Sequence, residues 1–208
     1  MKCSLCASQT QLFYTQKNKN YYQCKTCNSI SLDTENYPSL KEEKYRYLEH
    51  NNNVEDIGYQ KFVQPIVDIV LNNFNKKHLG LDFGSGPGPV ISKLLRDQDY
   101  QITTYDPIFD DNKDTLNTKY DYIVCCEVIE HFHNPLKEFK LLRSLLKPNG
   151  KLVCKTDLYS EEIDFKKWYY KNDQTHVIFY HKNTFKWIQQ HVGFSKISVS
   201  DRIITFEA

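Results

Sequence analysis

Three glycines at alternate positions follow a short apolar run, 79–83, that carries Asp82 near its end. The glycines are Gly84, Gly86 and Gly88. A helical pattern comes next, and a second apolar run, 101–105, leads into Asp106. Glycines let the backbone approach a ligand closely, and an acid after the next strand can accept hydrogen bonds from ribose hydroxyls. The spacing therefore predicts a site that holds a nucleoside.

Four cysteines form two pairs with the spacing Cys-x-x-Cys. They are Cys3, Cys6, Cys24 and Cys27. Four thiolates can close a tetrahedron around Zn²⁺, and a module of about thirty residues needs the energy of metal binding to fold. Between the pairs, 11–15 and 21–23 have the pattern of two strands joined by a polar turn. We expect a zinc ribbon, with disulfides or free thiols as the alternatives.

The overall charge and hydropathy exclude several classes of partner. The net charge is +1, so the chain has no strong field for nucleic acid or an anionic membrane. No apolar run approaches the length of a membrane span, and the first residues do not resemble a secretion signal. We therefore expect a cytoplasmic protein with no membrane partner. The sequence makes no prediction of its oligomeric state.

Strand and helix patterns alternate along most of the chain, which favours an open α/β sheet. The expected strands are 79–83, 101–105, 120–126, 151–155 and 177–180, and the expected helices are 55–74, 88–96, 135–146 and 183–190. Two terminal runs, 195–200 and 202–207, predict an antiparallel hairpin at one edge of the sheet. Residues 33–53 have the composition of a linker or irregular cover.

Four segments share their order and spacing with a known family. Leu81–Gly88 reads acid-x-Gly-x-Gly-x-Gly, Asp106 ends the second strand, Tyr120–His131 ends in Glu-Val-Ile-Glu-His, and Leu145–Leu152 contains Lys-Pro-Asn-Gly. In these segments the chain resembles a class I S-adenosylmethionine-dependent methyltransferase with an N-terminal zinc ribbon. A dinucleotide dehydrogenase, the rival for a glycine loop, would need glycine where this chain has Pro89.

The resemblance implies a fold and a division of the chain. The implied fold is a Rossmann-like open sheet, mostly parallel with an antiparallel C-terminal strand and helices on both faces, beside a small N-terminal zinc ribbon. We expect the ribbon in residues 1–35 and the S-adenosylmethionine-binding domain in 36–208. Too few residues separate Asp106 from Asp121 for the usual helix and third strand, so we expect that strand to be missing.

The resemblance also implies which residues bind the cofactor, S-adenosylmethionine. They are Asp82, Gly84, Ser85, Gly86, Gly88, Asp106, Cys126 and Glu127. In this assignment the glycines enclose the methionine part and Asp106 accepts both ribose hydroxyls. The adenine contact is assigned to Asp114, Thr115 and Leu116.

Methyl transfer needs an aligned nucleophile and a group that removes its proton. The expected catalytic residues are His131, Glu130 and His176, with Glu127 and His133 as further candidates for the base. Trp168 and Tyr169, in the aromatic segment after the fifth strand, are the expected substrate contacts. The alternatives are that His131 is structural and that these aromatic rings only fill a gap between helices.

We therefore expect methyl transfer to a small molecule, on oxygen or carbon. One alternative is methylation of ribosomal or transfer RNA bases, with the ribbon binding the RNA. The near-neutral charge opposes this alternative, because phosphate binding needs a clustered basic surface. A second alternative is a non-catalytic protein that binds S-adenosylmethionine or uses the ribbon for interaction.

Overall fold

A computed structural model describes residues 1–50 and 53–208 and contains two β-sheets. In chain order the elements are β1 (Thr10–Gln16), β2 (Lys19–Cys24), β3 (Ile30–Leu32), α1 (Leu40–Leu48), α2 (Ile57–Asn73), β4 (Leu79–Phe83), α3 (Val90–Arg96), β5 (Gln101–Tyr105), β6 (Tyr120–Cys126), α4 (Pro135–Leu145), β7 (Leu146–Lys155), β8 (Leu158–Tyr159), β9 (Ile178–His181), α5 (Lys182–Val192), β10 (Lys196–Ser200) and β11 (Ile203–Glu207).

The larger sheet, which we call the main sheet, has the order β10-β11-β7-β6-β4-β5. Strands β5, β4, β6 and β7 run parallel to one another, whereas β11 is antiparallel to both β7 and β10. Parallel strands place their carboxyl ends at one edge, where ligands of open α/β sheets bind. The predicted open sheet and its antiparallel C-terminal strand are confirmed.

Helices cover both faces of the main sheet, because successive residues of its central strands point in opposite directions. On one face, Tyr122 and Val124 pack in a core that includes the apolar sides of α2 and α3. On the other face, Ile123 and Cys125 pack in a core that includes α4 and α5. The near-continuous apolar run of β6 therefore reflects burial on both sides.

Strand β5 lies at the edge of the main sheet, as expected if the third strand is missing. Within the described residues, the segment that leads from β5 to β6 holds a short 3₁₀ turn, Lys113–Asn117, and no strand that extends the sheet. The shortness of this segment, visible in the sequence, is the cause.

The expectation of a linker or irregular cover at 33–53 is wrong over much of its length, since α1 lies within it. Ser39 caps this helix by accepting a hydrogen bond from the Glu42 amide, and the Glu42 carboxylate accepts one from the Ser39 amide. The pattern Ser-x-x-Glu is a capping box that the sequence displays openly.

The smaller sheet has the order β1-β2-β3-β9-β8, so the first three strands continue into strands from the C-terminal half. Ile30 pairs with Phe179, and Ser31 pairs with Ile178. The strand expected at 177–180 therefore forms, but it extends this sheet and not the main one. The boundary between residues 35 and 36 stays a prediction, and the two segments share one sheet and one apolar core.

Candidate functional site

The glycine turn lies at the carboxyl end of β4. Gly84 and Gly86 have φ angles of 76° and 62°, in the left-handed region that favours glycine. A Cβ atom on Gly84 would lie 2.6 Å from the Val128 side chain, whereas one on Gly86 would meet nothing within 4 Å. The turn thus packs against the protein at Gly84 and faces open space at Gly86, as a ligand cradle requires.

Asp106 joins the glycine turn to the end of β5. Its Oδ2 accepts a hydrogen bond of 2.9 Å from the Gly86 amide, and its Oδ1 accepts from the amides of Ile108 and Phe109 at 2.8 and 3.0 Å. The carboxylate is buried, with the aspartate 7% exposed. Its expected bond to ribose stays a prediction, and its hydrogen bonds fix the shape of the turn.

Asp82 lies beneath the turn and is also buried. Its Oδ2 accepts a 2.8 Å hydrogen bond from the Ser92 hydroxyl on α3. Burial raises the pKa of Asp82 to about 6, although the hydrogen bond from Ser92 opposes this effect. Ser85 and Gly88 complete the turn before α3 begins.

Cys126 is the last residue of β6 and Glu127 follows it, next to the glycine turn. Glu127 has a φ of 52°, an uncommon conformation for a residue with a side chain. Its carboxylate accepts hydrogen bonds of 2.9 and 3.0 Å from Nη2 of Arg202, and its Oε2 lies 3.1 Å from the hydroxyl oxygen of Tyr170. Burial and the neighbouring Glu130 raise the pKa of Glu127 to about 8.

Glu130 has no exposed surface and receives two hydrogen bonds. The Tyr170 hydroxyl donates to its Oε1, and the Thr156 hydroxyl donates to its Oε2 at 3.0 Å. Burial raises the pKa of Glu130 to about 7. Tyr170 therefore lies between Glu127 and Glu130, both of which follow β6.

The structure brings the three expected catalytic residues together. Nδ1 of His131 lies 2.9 Å from the Thr175 carbonyl oxygen, and Nδ1 of His176 lies 2.7 Å from that of Tyr170. Both Nε2 atoms lie 4.0 Å from Oε1 of Glu130. Burial lowers the pKa of both histidines, that of His176 to about 3, so both rings are neutral at pH 7. We call Glu130, His131 and His176 the histidine cluster.

His133, the other histidine of this segment, lies outside the cluster. Its Nε2 is 3.1 Å from Oε1 of Glu43 on α1, and its ring packs against Tyr37. These contacts tie the segment to the helix that covers it.

The two expected substrate residues have different surroundings. Trp168 is buried among aromatic rings that include Phe165 and Phe179, and its Nε1 donates a 3.3 Å hydrogen bond to Asp157. Tyr169 is 61% exposed. The burial of Trp168 fits the alternative in which its ring only fills space inside the protein. A substrate role for either residue stays a prediction.

The expected adenine residues follow β5 within the 3₁₀ turn. Thr115 is buried, and its carbonyl accepts a 2.8 Å hydrogen bond from the Tyr120 hydroxyl. Asp114 is exposed and Leu116 is half-buried. Their contact with adenine stays a prediction.

Arg202 and Tyr170 were not predicted from the sequence. Arg202 lies in the turn between β10 and β11, 75 residues from its partner Glu127. An arginine in a terminal hairpin gives no local sign of such a contact, because the antiparallel insertion of β11 brings it there.

The four N-terminal cysteines converge on one point, and we call them the cysteine cluster. Their Sγ atoms all lie within 4.8 Å of one another. The distance is 3.6 Å between Cys3 and Cys27 and 3.4 Å between Cys6 and Cys24, too long for a disulfide bond. Tetrahedral zinc with Zn–S bonds of about 2.3 Å places sulfur atoms roughly 3.8 Å apart. The residues therefore fit a zinc ion.

Comparison with known proteins gives a family match over most of the chain. Residues 57–199 match the family described as "Methyltransferase domain". The ubiquinone biosynthesis O-methyltransferase of Histophilus somni (strain 2336) is 33% identical over 81 residues. That alignment covers 37% of this chain and 34% of the relative, so it spans about a third of the relative's length.

Two solved structures have a similar fold. The 1,6-didemethyltoxoflavin-N1-methyltransferase of Burkholderia thailandensis, solved with bound 1,6-didemethyltoxoflavin and S-adenosylhomocysteine, has a TM-score of 0.56 at 10% identity over 95% of this chain and 98% of that one. An O-methyltransferase family protein from Burkholderia thailandensis has a TM-score of 0.53 at 11% identity over 79% and 61%. Among the described residues, no helix is long and apolar enough to cross a membrane.

Proposed function

We propose, since the chain belongs to the methyltransferase-domain family, that it catalyses S-adenosylmethionine-dependent methyl transfer to a small-molecule acceptor. One observation carries the proposal: the glycine turn follows β4, and Glu130 and His131 of the histidine cluster follow β6, at the carboxyl ends of two central strands of the main sheet. A cofactor site and a set of proton-accepting groups are thereby adjacent. The small-molecule names of the relatives support the acceptor class.

The cofactor would lie along the glycine turn. S-adenosylmethionine supplies a methyl group on a sulfonium, which needs no further activation. The residues proposed to hold it are Asp82, Gly84, Ser85, Gly86, Gly88, Asp106, Cys126 and Glu127. The open space at Gly86 and the two buried acids beside the turn suit a cationic nucleoside derivative.

The acceptor would lie against the histidine cluster, and we propose that it presents a hydroxyl group. Among these side chains, Glu130 is best matched to taking a proton near pH 7, because burial raises its pKa to about 7. Once the hydroxyl proton has passed to this group of side chains, the acceptor oxygen keeps the electron pair that forms its bond to the methyl carbon. Positioning supplies the rest of the rate.

We also propose a structural zinc ion in the cysteine cluster, within a ribbon that occupies residues 1–35, beside a cofactor-binding domain in 36–208. The convergence of the four sulfur atoms supports this assignment. Thiolate ligands need a reducing environment, so the proposal places the protein in the cytoplasm.

Titration calorimetry tests the cofactor. We expect the zinc-loaded protein to bind S-adenosylmethionine and S-adenosylhomocysteine. The variant Asp106→Ala should bind at least about 100-fold more weakly, because it loses two charge-assisted hydrogen bonds to ribose. Asp111→Ala, which changes an exposed acid of the same segment, is the matched control and should bind normally.

Each outcome of this titration has a defined meaning. A folded wild-type protein that binds neither compound would overturn the proposed function. Unchanged affinity in Asp106→Ala would overturn only the ribose assignment. Thermal unfolding of each variant separates a lost contact from a lost fold, because Asp106 also accepts three backbone hydrogen bonds.

A further inference from the structure

The donor atoms of the histidine cluster face one another around a common point. Oε1 of Glu130 is 4.0 Å from Nε2 of His131 and from Nε2 of His176. One ligand atom from each of the three residues lies within 4.8 Å of the other two. Shifts of roughly half an ångström per side chain would bring these donors to about 2.1 Å from a shared cation.

The protons of the two imidazoles are located by their hydrogen bonds. A backbone carbonyl can only accept, so His131 must donate from Nδ1 to Thr175, and His176 must donate from Nδ1 to Tyr170. Each neutral ring therefore carries a lone pair on Nε2. Within residues 1–50 and 53–208, no hydrogen bond joins either Nε2 atom to a donor.

Two imidazole lone pairs thus face Oε1 of Glu130, which accepts a hydrogen bond from the Tyr170 hydroxyl on its other side. Such a set of donors is electrostatically unfavourable until a cation occupies its centre. The supporting bonds match those of metal-binding histidines, which donate their other ring nitrogen to a carbonyl or carboxylate. Glu130 is fixed in the same way by Thr156 and Tyr170.

We propose that Glu130, His131 and His176 bind one divalent transition-metal ion, separate from the ion of the cysteine cluster. Two imidazoles with one carboxylate suit ions such as Zn²⁺, Fe²⁺ and Co²⁺, whereas Mg²⁺ and Ca²⁺ prefer oxygen ligands. Three protein ligands leave coordination positions open for another molecule.

The role of the ion rests on the proposed function, whereas its binding does not. An acceptor hydroxyl in an open position would have its oxygen placed and its pKa lowered by the ion. With both Nε2 atoms engaged by the ion, the ionised form of Glu127 would take the hydroxyl proton. Its carboxylate is linked to Glu130 through the Tyr170 hydroxyl.

Visible absorption of Co²⁺ tests the site directly, without cofactor or acceptor. The full chain is prepared with zinc in the cysteine cluster, and Co²⁺ is then titrated into wild type, Glu130→Gln and His176→Gln. We expect the wild type to bind one Co²⁺ per chain and to show d–d bands. Each variant should bind at least about 100-fold more weakly, because it loses one ligand of three. His191→Ala, which removes an exposed histidine, is the control and should match the wild type.

Identical Co²⁺ titrations in wild type and both variants would overturn the site, as would a wild type that binds no Co²⁺. Circular dichroism and thermal unfolding confirm that each variant is folded, and Glu130→Gln keeps the side-chain volume at a fully buried position. S-adenosylmethionine binding is measured on the same samples. Cofactor binding without Co²⁺ binding contradicts the metal site alone, so the two proposals fail in distinguishable ways.

Discussion

The cysteine cluster and the histidine cluster are both sets of converging ligands, but they are held in place differently. Each cysteine pair has its own local turn, with Ala7 and Asn28 at φ angles of 60° and 61°. The amide of Ala7 donates to Cys3, and that of Asn28 donates to Cys24, so the two turns have the same form. The histidine cluster instead joins a turn after β6 to the segment before β9.

The supporting bonds differ as well. The four sulfur atoms contact one another and the hydroxyl of Ser29, which lies 3.4 Å from Sγ of Cys3 and 3.2 Å from Sγ of Cys27. Each histidine and Glu130 has hydrogen bonds that do not involve the other ligands. The cysteine cluster should therefore need its ion in order to fold, whereas the histidine cluster should keep its shape without one.

Removal of the ion from the cysteine cluster is expected to have the largest effect. The variant Cys24→Ser should lose at least about 5 kcal/mol of stability in the N-terminal module, because metal binding supplies most of its folding energy. Amide hydrogen exchange should show lost protection in β3 and also in β9, which pairs with it. Lys25→Ala, at an exposed position between the two cysteines, is the control. Retained protection in β3 would contradict a metal-dependent ribbon.

The contrast between the clusters also explains how much of the site could be predicted. The cysteine cluster is encoded by two local pairs, and the glycine turn by a local spacing. Glu130 and His131 are neighbours in one motif. His176 is an expected catalytic residue because it lies in an aromatic segment with polar residues. Its approach to Glu130, however, depends on the pairing of β9 with β3. Long-range strand pairing leaves no local pattern.

Much the same holds for the fold as a whole. The main sheet was predictable because alternating apolar runs and glycine or proline breaks mark each strand and helix. The left-handed conformation of Glu127 and its contact with Arg202 were not, because both result from tertiary packing. Helix α1 differs from these features, because its capping box, Ser39 with Glu42, is a local signal that the sequence contains.

Asp82 allows a test of whether a residue proposed to bind the cofactor lowers the stability of the folded protein. Burial raises its pKa from 3.8 to about 6, so ionisation of Asp82 opposes folding. The protonated form of Asp82 favours the folded state, and this contribution to stability is complete below about pH 4 and is lost as the pH rises through 6. Asp82→Asn should then be more stable than wild type by up to about 3 kcal/mol at pH 7.5 and equal to it at pH 4.

Urea unfolding at the two pH values measures this difference. Asp68→Asn, on the exposed side of α2, is the control and should change little at either pH. The same Asp82→Asn protein should bind S-adenosylmethionine more weakly, as expected for a residue kept for function at a cost in stability. A difference between Asp82→Asn and wild type that is the same at both pH values would show that ionisation of Asp82 is not the cause.

The smallest expected effect concerns the link between α1 and the histidine cluster. Arg46 donates from Nε and Nη2 to Oδ2 of Asp173, at 3.1 and 2.8 Å, and Oδ1 of Asp173 accepts from the amide and hydroxyl of Thr175. The backbone carbonyl of Thr175 in turn accepts a hydrogen bond from Nδ1 of His131. The Arg46 side chain is 37% exposed, so Arg46→Met should lose only about 0.5–1 kcal/mol of stability, and less at high salt.

Because Asp173 keeps its bonds to Thr175 in this variant, Co²⁺ binding by the histidine cluster should remain within about twofold of wild type. Lys44→Met, an exposed cation on the same helix, is the control for loss of charge. Urea unfolding at low and high salt gives the stability, and the Co²⁺ titration gives the affinity. A large loss of Co²⁺ affinity in Arg46→Met would mean that the histidine cluster depends on α1 for its shape. The cluster would then resemble the cysteine cluster in needing an outside support, and the contrast between the two would be reduced.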